Sequence, residues 1–244
     1  MSVRVKICGL TNLADAMVAV ESGADAVGFL FYDGSPRFVP LAAAAVIVSR
    51  LPASVTAVGV FVNPTADQVR RAVEWVGIQS VQFHGEETSE FVAGLELPVR
   101  QAPAPAGGFV PPHAASQGAR VATIKAFRVR DASSLAVLPQ FPTDLWLLDS
   151  FVPGQRGGTG APFDWLLASQ ASQLGKPIVL AGGLTPENVA EAVRRVQPHA
   201  VDVSSGVESS PGRKDHARVR AFLVAAKQAD WEEASQGWGG MRPD

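Results

Sequence analysis

The chain of 244 residues holds one cysteine, Cys8, which ends the alternating run VRVKIC and directly precedes a glycine. A thiol placed there is a small buried hydrophobe or a general base or nucleophile. The second role is open to it if basic neighbours lower a pKa that is ordinarily about 8.5. Lys6 lies two residues earlier, on the same side of the strand. Asp149 ends the run LWLLD. It either caps the next segment or, desolvated in an apolar mouth, keeps its proton and serves as a general acid. A thiolate and a protonated carboxyl facing one ligand move protons at different atoms, a division of labour that suits isomerisation.

Binding groups accompany this pair. Arg37 follows DGSP and is either a surface arginine or a bidentate partner for a substrate carboxylate. His84, in QFHG, either polarises a substrate or sits hydrogen-bonded at a rim. Three glycine clusters follow apolar runs: GQRGGTG at 154–160 with Gly158 and Gly160, AGG at 181–183 with Gly182 and Gly183, and SSG at 204–206 with Ser205 and Gly206. Bare backbone N–H groups beside helix starts favour an anion such as phosphate. Asn188 reads as solvent-facing or capping, and no motif surrounds His113, His199 or His216.

Such groups need a scaffold, and the hydrophobic periodicity supplies one. VRVKIC, DAVGFLF, VTAVGVF, IQSVQF, VATIKAF, DLWLLD, KPIVLAG and AVDVSS read as strands. Helical patterns separate them, among them NLADAMVAVESG, TADQVRRAVEWVG with Thr65 as cap, a short helix from Ala132, and KDHARVRAFLVAAK. Eight βα repeats predict an α/β fold, a (β/α)8 TIM barrel in a single domain over residues 1–228, with a polar tail at 229–244. An open doubly wound sheet is the other arrangement, but the first strand–helix turn, CGLTN, lacks the GxGxxG of a dinucleotide site. On a barrel Cys8, Arg37, His84, Asp149 and the glycine clusters fall at or just after the C-terminal ends of strands, the face where barrel chemistry occurs. Strands one and eight then become neighbours, so Asp202 is expected to pair with Lys6. The Pro-, Ala- and Gly-rich stretch at 101–120 reads as a mobile surface loop on the opposite face.

Composition narrows the partners. Lys plus Arg total 21 and Asp plus Glu 23, a net charge of -2 that gives no reason to expect nucleic acid. No apolar stretch is long enough to span a membrane, and the start lacks a secretory pattern. A single cysteine makes no internal disulfide, and no Cys/His cluster has metal-site spacing. A reducing, cytoplasmic compartment is expected, with monomer and homodimer both open.

The segments KICGLT at 6–11, GADAVGFLF at 23–31, SPRFV at 35–39, QFHGEE at 82–87, LLDS at 147–150, GGTGAPFDW at 157–165, LAGGLTPENV at 180–189 and VDVSSGVESSPGRKD at 201–215 resemble, in one order, the phosphoribosylanthranilate isomerases of tryptophan biosynthesis. Phe83 stands where the family pattern often has leucine, and the 101–120 stretch and the tail exceed a compact member. The resemblance implies an Amadori rearrangement of N-(5-phosphoribosyl)anthranilate to 1-(2-carboxyphenylamino)-1-deoxyribulose 5-phosphate, without cofactor or metal. It implies Cys8 as general base, Asp149 as general acid, Arg37 at the anthranilate end, and the glycines and serines after strands six to eight as the phosphate grip. Two other classes compete: another phosphosugar barrel, where Lys125 would serve a synthase, and a non-catalytic phosphometabolite-binding barrel.

Overall fold

The computed structural model describes residues 3–97, 109–110, 120–150 and 165–236, with side chains described up to Ala229 except at Ser150. Its strands are β1 (Arg4–Cys8), β2 (Ala26–Leu30), β3 (Thr56–Phe61), β4 (Ser80–Phe83), β5 (Ala122–Val129), β6 (Leu145–Ser150), β7 (Ile178–Leu180) and β8 (Ala200–Val203). They pair in parallel in sequence order and close into a barrel, β8 returning to β1 with Lys6 opposite Asp202. Two buried layers explain why the strands read as near-continuous apolar runs. Val5, Ile7, Val27, Phe29, Val81 and Phe83 join helix residues such as Ala16, Ala19, Ile47 and Phe222 in the outer core. The opposite parity fills the barrel interior with Ala26, Val58, Ile124, Leu145, Leu147 and Val179.

The helices are α1 (Leu13–Glu21), α2 (Leu41–Val48), α3 (Ala66–Arg71), α4 (Ser89–Ala93), α5 (Trp165–Ser172), α6 (Val189–Val196) and α7 (His216–Gln236). Thr65 caps α3 as expected: its side chain accepts from Gln68 N while the Gln68 side chain reaches back. The segment from Ala132 is a 3₁₀ helix, Ala132–Gln140. Asp131 takes the Ser134 backbone N–H at its start, and Pro139 removes a donor inside it, so the turns stay tight and short. The last helix runs through Gln236, into the stretch read as tail, because neither glycine nor proline interrupts residues 216–236. No helix among the described residues is long and apolar enough to cross a membrane.

The expectation of a plain surface loop at 101–120 is corrected where the structure describes that stretch. Phe109 is fully buried and Val110 nearly so. Phe109 belongs to the interior cluster with Ala26, Leu145 and Ala200, the first residues of β2, β6 and β8, and its carbonyl lies 2.9 Å from His199 Nε2. An aromatic side chain thus stops the N-terminal end of the barrel. Composition hid it, since prolines and alanines surround one phenylalanine.

Candidate active site

At the other end the strands open onto a cavity of about 560 Å3 lined by Cys8, Arg37, His84, Asp149, Gly183 and Ser205, among others. The residues singled out from β1, β4, β6, β7 and β8 and the turn after β2 therefore meet at one mouth. Gly158 and Gly160 lie outside the described residues.

Beneath the mouth, β1 points Lys6 and Cys8 inward. Lys6 is fully buried, and its Nζ donates to Asp202 Oδ2 at 2.9 Å and to Gln82 Oε1 at 3.0 Å. Burial pulls the Lys6 pKa down, but Asp202 and Cys8 outweigh it and hold the ammonium above its ordinary value. Gly28 makes the space: a Cβ there would stand 2.8 Å from Cys8 Sγ and 3.1 Å from Lys6 Cε. The thiol corrects a simpler expectation. Burial pushes the Cys8 pKa up, and this exceeds the lowering by Lys6 and Lys214, so the resting group is a thiol.

Gln82 on β4 and His84 directly after it face the same interior. Gln82 Nε2 lies 3.1 Å from His84 Nδ1, and His84 Nε2 lies 3.3 Å from Asp149 Oδ2. Asp149 is buried on β6, and His84 is half-buried at the rim. Lys125 is engaged elsewhere: its ammonium donates to Glu87 Oε2 at 2.9 Å and to Gly85 O at 2.8 Å. Glu87 Oε1 in turn accepts from the backbone N–H groups of Asn63 and Gly85. This buried pair braces the turns that follow β3 and β4.

Arg37 is not a loose surface side chain. Its Nε and Nη2 donate to the two oxygens of Glu208, at 2.9 and 2.6 Å. Glu208 opens a small hairpin, β9 (Glu208–Ser210) with β10 (Arg213–Lys214), and also accepts from Lys214 Nζ at 2.9 Å. Burial raises the Glu208 carboxyl, yet Arg37 and Lys214 overcome this and hold it below the usual carboxylate range. Two cations thus share one carboxylate, leaving a net positive wall for an anionic ligand. Residue-by-residue reading missed Glu208, Lys214 and Glu87; the charges in VESSPGRKD and HGEE look like solvated turns until the fold brings Arg37 and Lys125 to them.

After β7 and β8 the backbone does the work. Gly182 and Gly183 adopt positive φ, 80° and 66°, and Asn188 caps this turn by accepting from Thr185 N and donating to Gly183 O. Gly206 packs so closely that a Cβ would stand 1.9 Å from Leu184 O. Ser204 Oγ, on the same wall, is buried without a hydrogen-bond partner among the described residues. Among those residues no group of three or more His, Cys, Asp and Glu side chains is disposed to hold a metal ion.

A family model described as N-(5'phosphoribosyl)anthranilate (PRA) isomerase matches residues 5–109 and 111–225. An N-(5'-phosphoribosyl)anthranilate isomerase of Geobacter sp. (strain M21) is 47% identical over 225 residues, covering 92% of this chain and 98% of the relative. The crystal structure of phosphoribosyl anthranilate isomerase from Thermotoga maritima superposes with a TM-score of 0.75 at 40% identity, covering 93% of this chain and 99% of that one. A second structure, of a phosphoribosyl anthranilate isomerase in complex with reduced 1-(o-carboxyphenylamino)-1-deoxyribulose 5-phosphate, is 38% identical, with a TM-score of 0.72 and coverage of 93% and 99%. With a shared barrel and this likeness along nearly its whole length, the chain belongs to the N-(5'-phosphoribosyl)anthranilate isomerase family.

Proposed function

We propose that this chain rearranges N-(5-phosphoribosyl)anthranilate to 1-(2-carboxyphenylamino)-1-deoxyribulose 5-phosphate, with Asp149 as general acid and Cys8 as general base. The observation that carries this assignment of roles is that both side chains line one cavity in a chain of this family. Asp149 protonates the furanose ring oxygen, and the ring opens to an iminium. Cys8 then removes the C2 proton and gives an enolamine. C1 gains a proton, the C2 hydroxyl loses one, and the aminoketose results. The iminium cation acidifies the C2–H bond and favours the thiolate beside it, offsetting the burial that holds the resting thiol protonated.

The binding roles follow the same geometry. The positive wall of Arg37 takes the anthranilate carboxylate. Gly182, Gly183, Ser205 and Gly206 offer the phosphate their backbone. The reaction needs a reduced thiol, which suits a cytoplasmic enzyme, and it involves neither nucleic acid nor membrane. The cavity forms within one chain, so monomer and homodimer both serve.

A direct turnover assay with the anthranilate ribosyl phosphate tests the reading. Cys8→Ala and Asp149→Asn should each lower kcat by about 10²- to 10⁴-fold in folded protein. Wild-type rates in both variants would overturn the acid–base roles, and an inactive, well-folded wild type would overturn the reaction.

A further inference from the structure

Two side chains, Gln82 and His84, join the buried ammonium of Lys6 to the carboxyl of Asp149, and their polarity can be worked out atom by atom. An ammonium has donors only. The Gln82 atom 3.0 Å from Lys6 Nζ must therefore be its carbonyl oxygen. Its amide nitrogen, again a donor only, then faces His84 Nδ1 at 3.1 Å. Nδ1 must accept, so it carries no proton. The proton of the neutral ring sits on Nε2 and points at Asp149 Oδ2, 3.3 Å away. An imidazolium would set its Nδ1–H against the amide N–H of Gln82. The order is enforced from inside, because Lys6 and Gln82 are both buried in the barrel and cannot exchange these partners for water.

We propose that Gln82 is a positioning residue which, oriented by Lys6, locks His84 as the Nε2–H tautomer and so assigns the acid proton of Asp149 to Oδ1. The proposal rests on the reading of Asp149 as general acid. Oδ2 is committed as an acceptor from His84. The proton for the furanose oxygen then has one place to reside, and the carboxyl one orientation in which to deliver it. This relay also gives QFHG a role beyond a strand ending: Gln82 on β4 and His84 directly after it, two residues apart, face the same interior and act in series.

Ring ¹⁵N NMR of the intact protein tests this, with the His84 signals assigned from their loss in His84→Asn. Wild type should show Nδ1 unprotonated and Nε2 protonated. In Gln82→Glu a carboxylate accepts from both Lys6 and the ring, so Nδ1 should become protonated. In that variant kcat should fall ~10-fold or more while KM stays within about threefold, since a misdirected imidazole tautomer impairs the chemical step rather than binding. A wild-type ring protonated at Nδ1 would overturn the proposal, as would Gln82→Glu with Nδ1 protonated and an unchanged kcat. The wild-type spectrum reads the tautomer whether or not the sugar is turned over. Failure of this inference is therefore separable from failure of the proposed reaction.

Discussion

Lys6 Nζ lies 2.9 Å from Asp202 Oδ2 at the floor of the cavity, two residues below Cys8 on the same strand. Burial alone would make Cys8 a still weaker acid, and this ammonium opposes that. Lys6→Met removes the opposition, so the Cys8 pKa rises further. The limb of the kcat/KM profile that reports the thiolate should then move to higher pH. A limb that stays in place or moves down would show that Lys6 does not act on the thiol. The same change strands a buried carboxylate and should cost about 3–5 kcal/mol in denaturant unfolding, part of which Lys6→Met/Asp202→Asn restores.

Glu208 should govern substrate binding through Arg37. Glu208→Gln keeps the shape but opposes an amide N–H to the guanidinium, so KM should rise ~10-fold or more with kcat within about threefold. In an Arg37→Ala background the same change should add little, because the two act as one unit. Independent, additive effects in this cycle would refute the coupling.

Gly206 leaves no room for a side chain against Leu184 O. Gly206→Ala must part the turns after β7 and β8, at a cost of roughly 1–3 kcal/mol. Inhibition by inorganic phosphate should weaken about tenfold, because the backbone donors lose their geometry. Unchanged phosphate inhibition would move the anion site elsewhere.

Asp15 ties the hairpin to α1: its carboxylate accepts from Lys214 N at 2.9 Å, Asn12 Nδ2 at 2.9 Å and His216 Nε2 at 2.8 Å. Burial raises this carboxyl, but the hydrogen bonds from Lys214, His216 and Asn12 prevail and hold it below its ordinary value. A depressed folded-state pKa means stability present above the unfolded value, about 3.9, and lost as pH falls through the folded one. Asp15→Asn should cost about 1–3 kcal/mol at neutral pH. The gap to wild type should narrow as the pH drops below about 4. A gap constant with pH would contradict the assignment.

The strands and their end residues were legible in the sequence because side-chain alternation and short connections repeat eight times, and a closed ring follows from that count. The Lys6–Asp202 pair was legible for the same reason, since closure alone makes β1 and β8 neighbours. Glu208 was not. It belongs to a hairpin outside the repeat, and a carboxylate near a Ser-Pro-Gly turn carries no mark of its distant guanidinium. The net rise of the Cys8 pKa was also hidden, because the sequence shows the basic neighbour but not the depth of burial. Phe109 was the hardest to see: one aromatic among prolines and alanines gives no period, and only the filled interior reveals where it goes.

Among the described residues, that stopper leaves the ring one doorway. With Phe109 and Lys6 both sealed from solvent, traffic to and from the thiol passes through the end by which the sugar enters. While that end holds its ligand, a proton lifted from the sugar carbon has no bulk water beneath it to escape into. On the proposal that Cys8 is the general base, that proton returns to the neighbouring carbon, so rearrangement in solvent deuterium should carry much of the original hydrogen into the product.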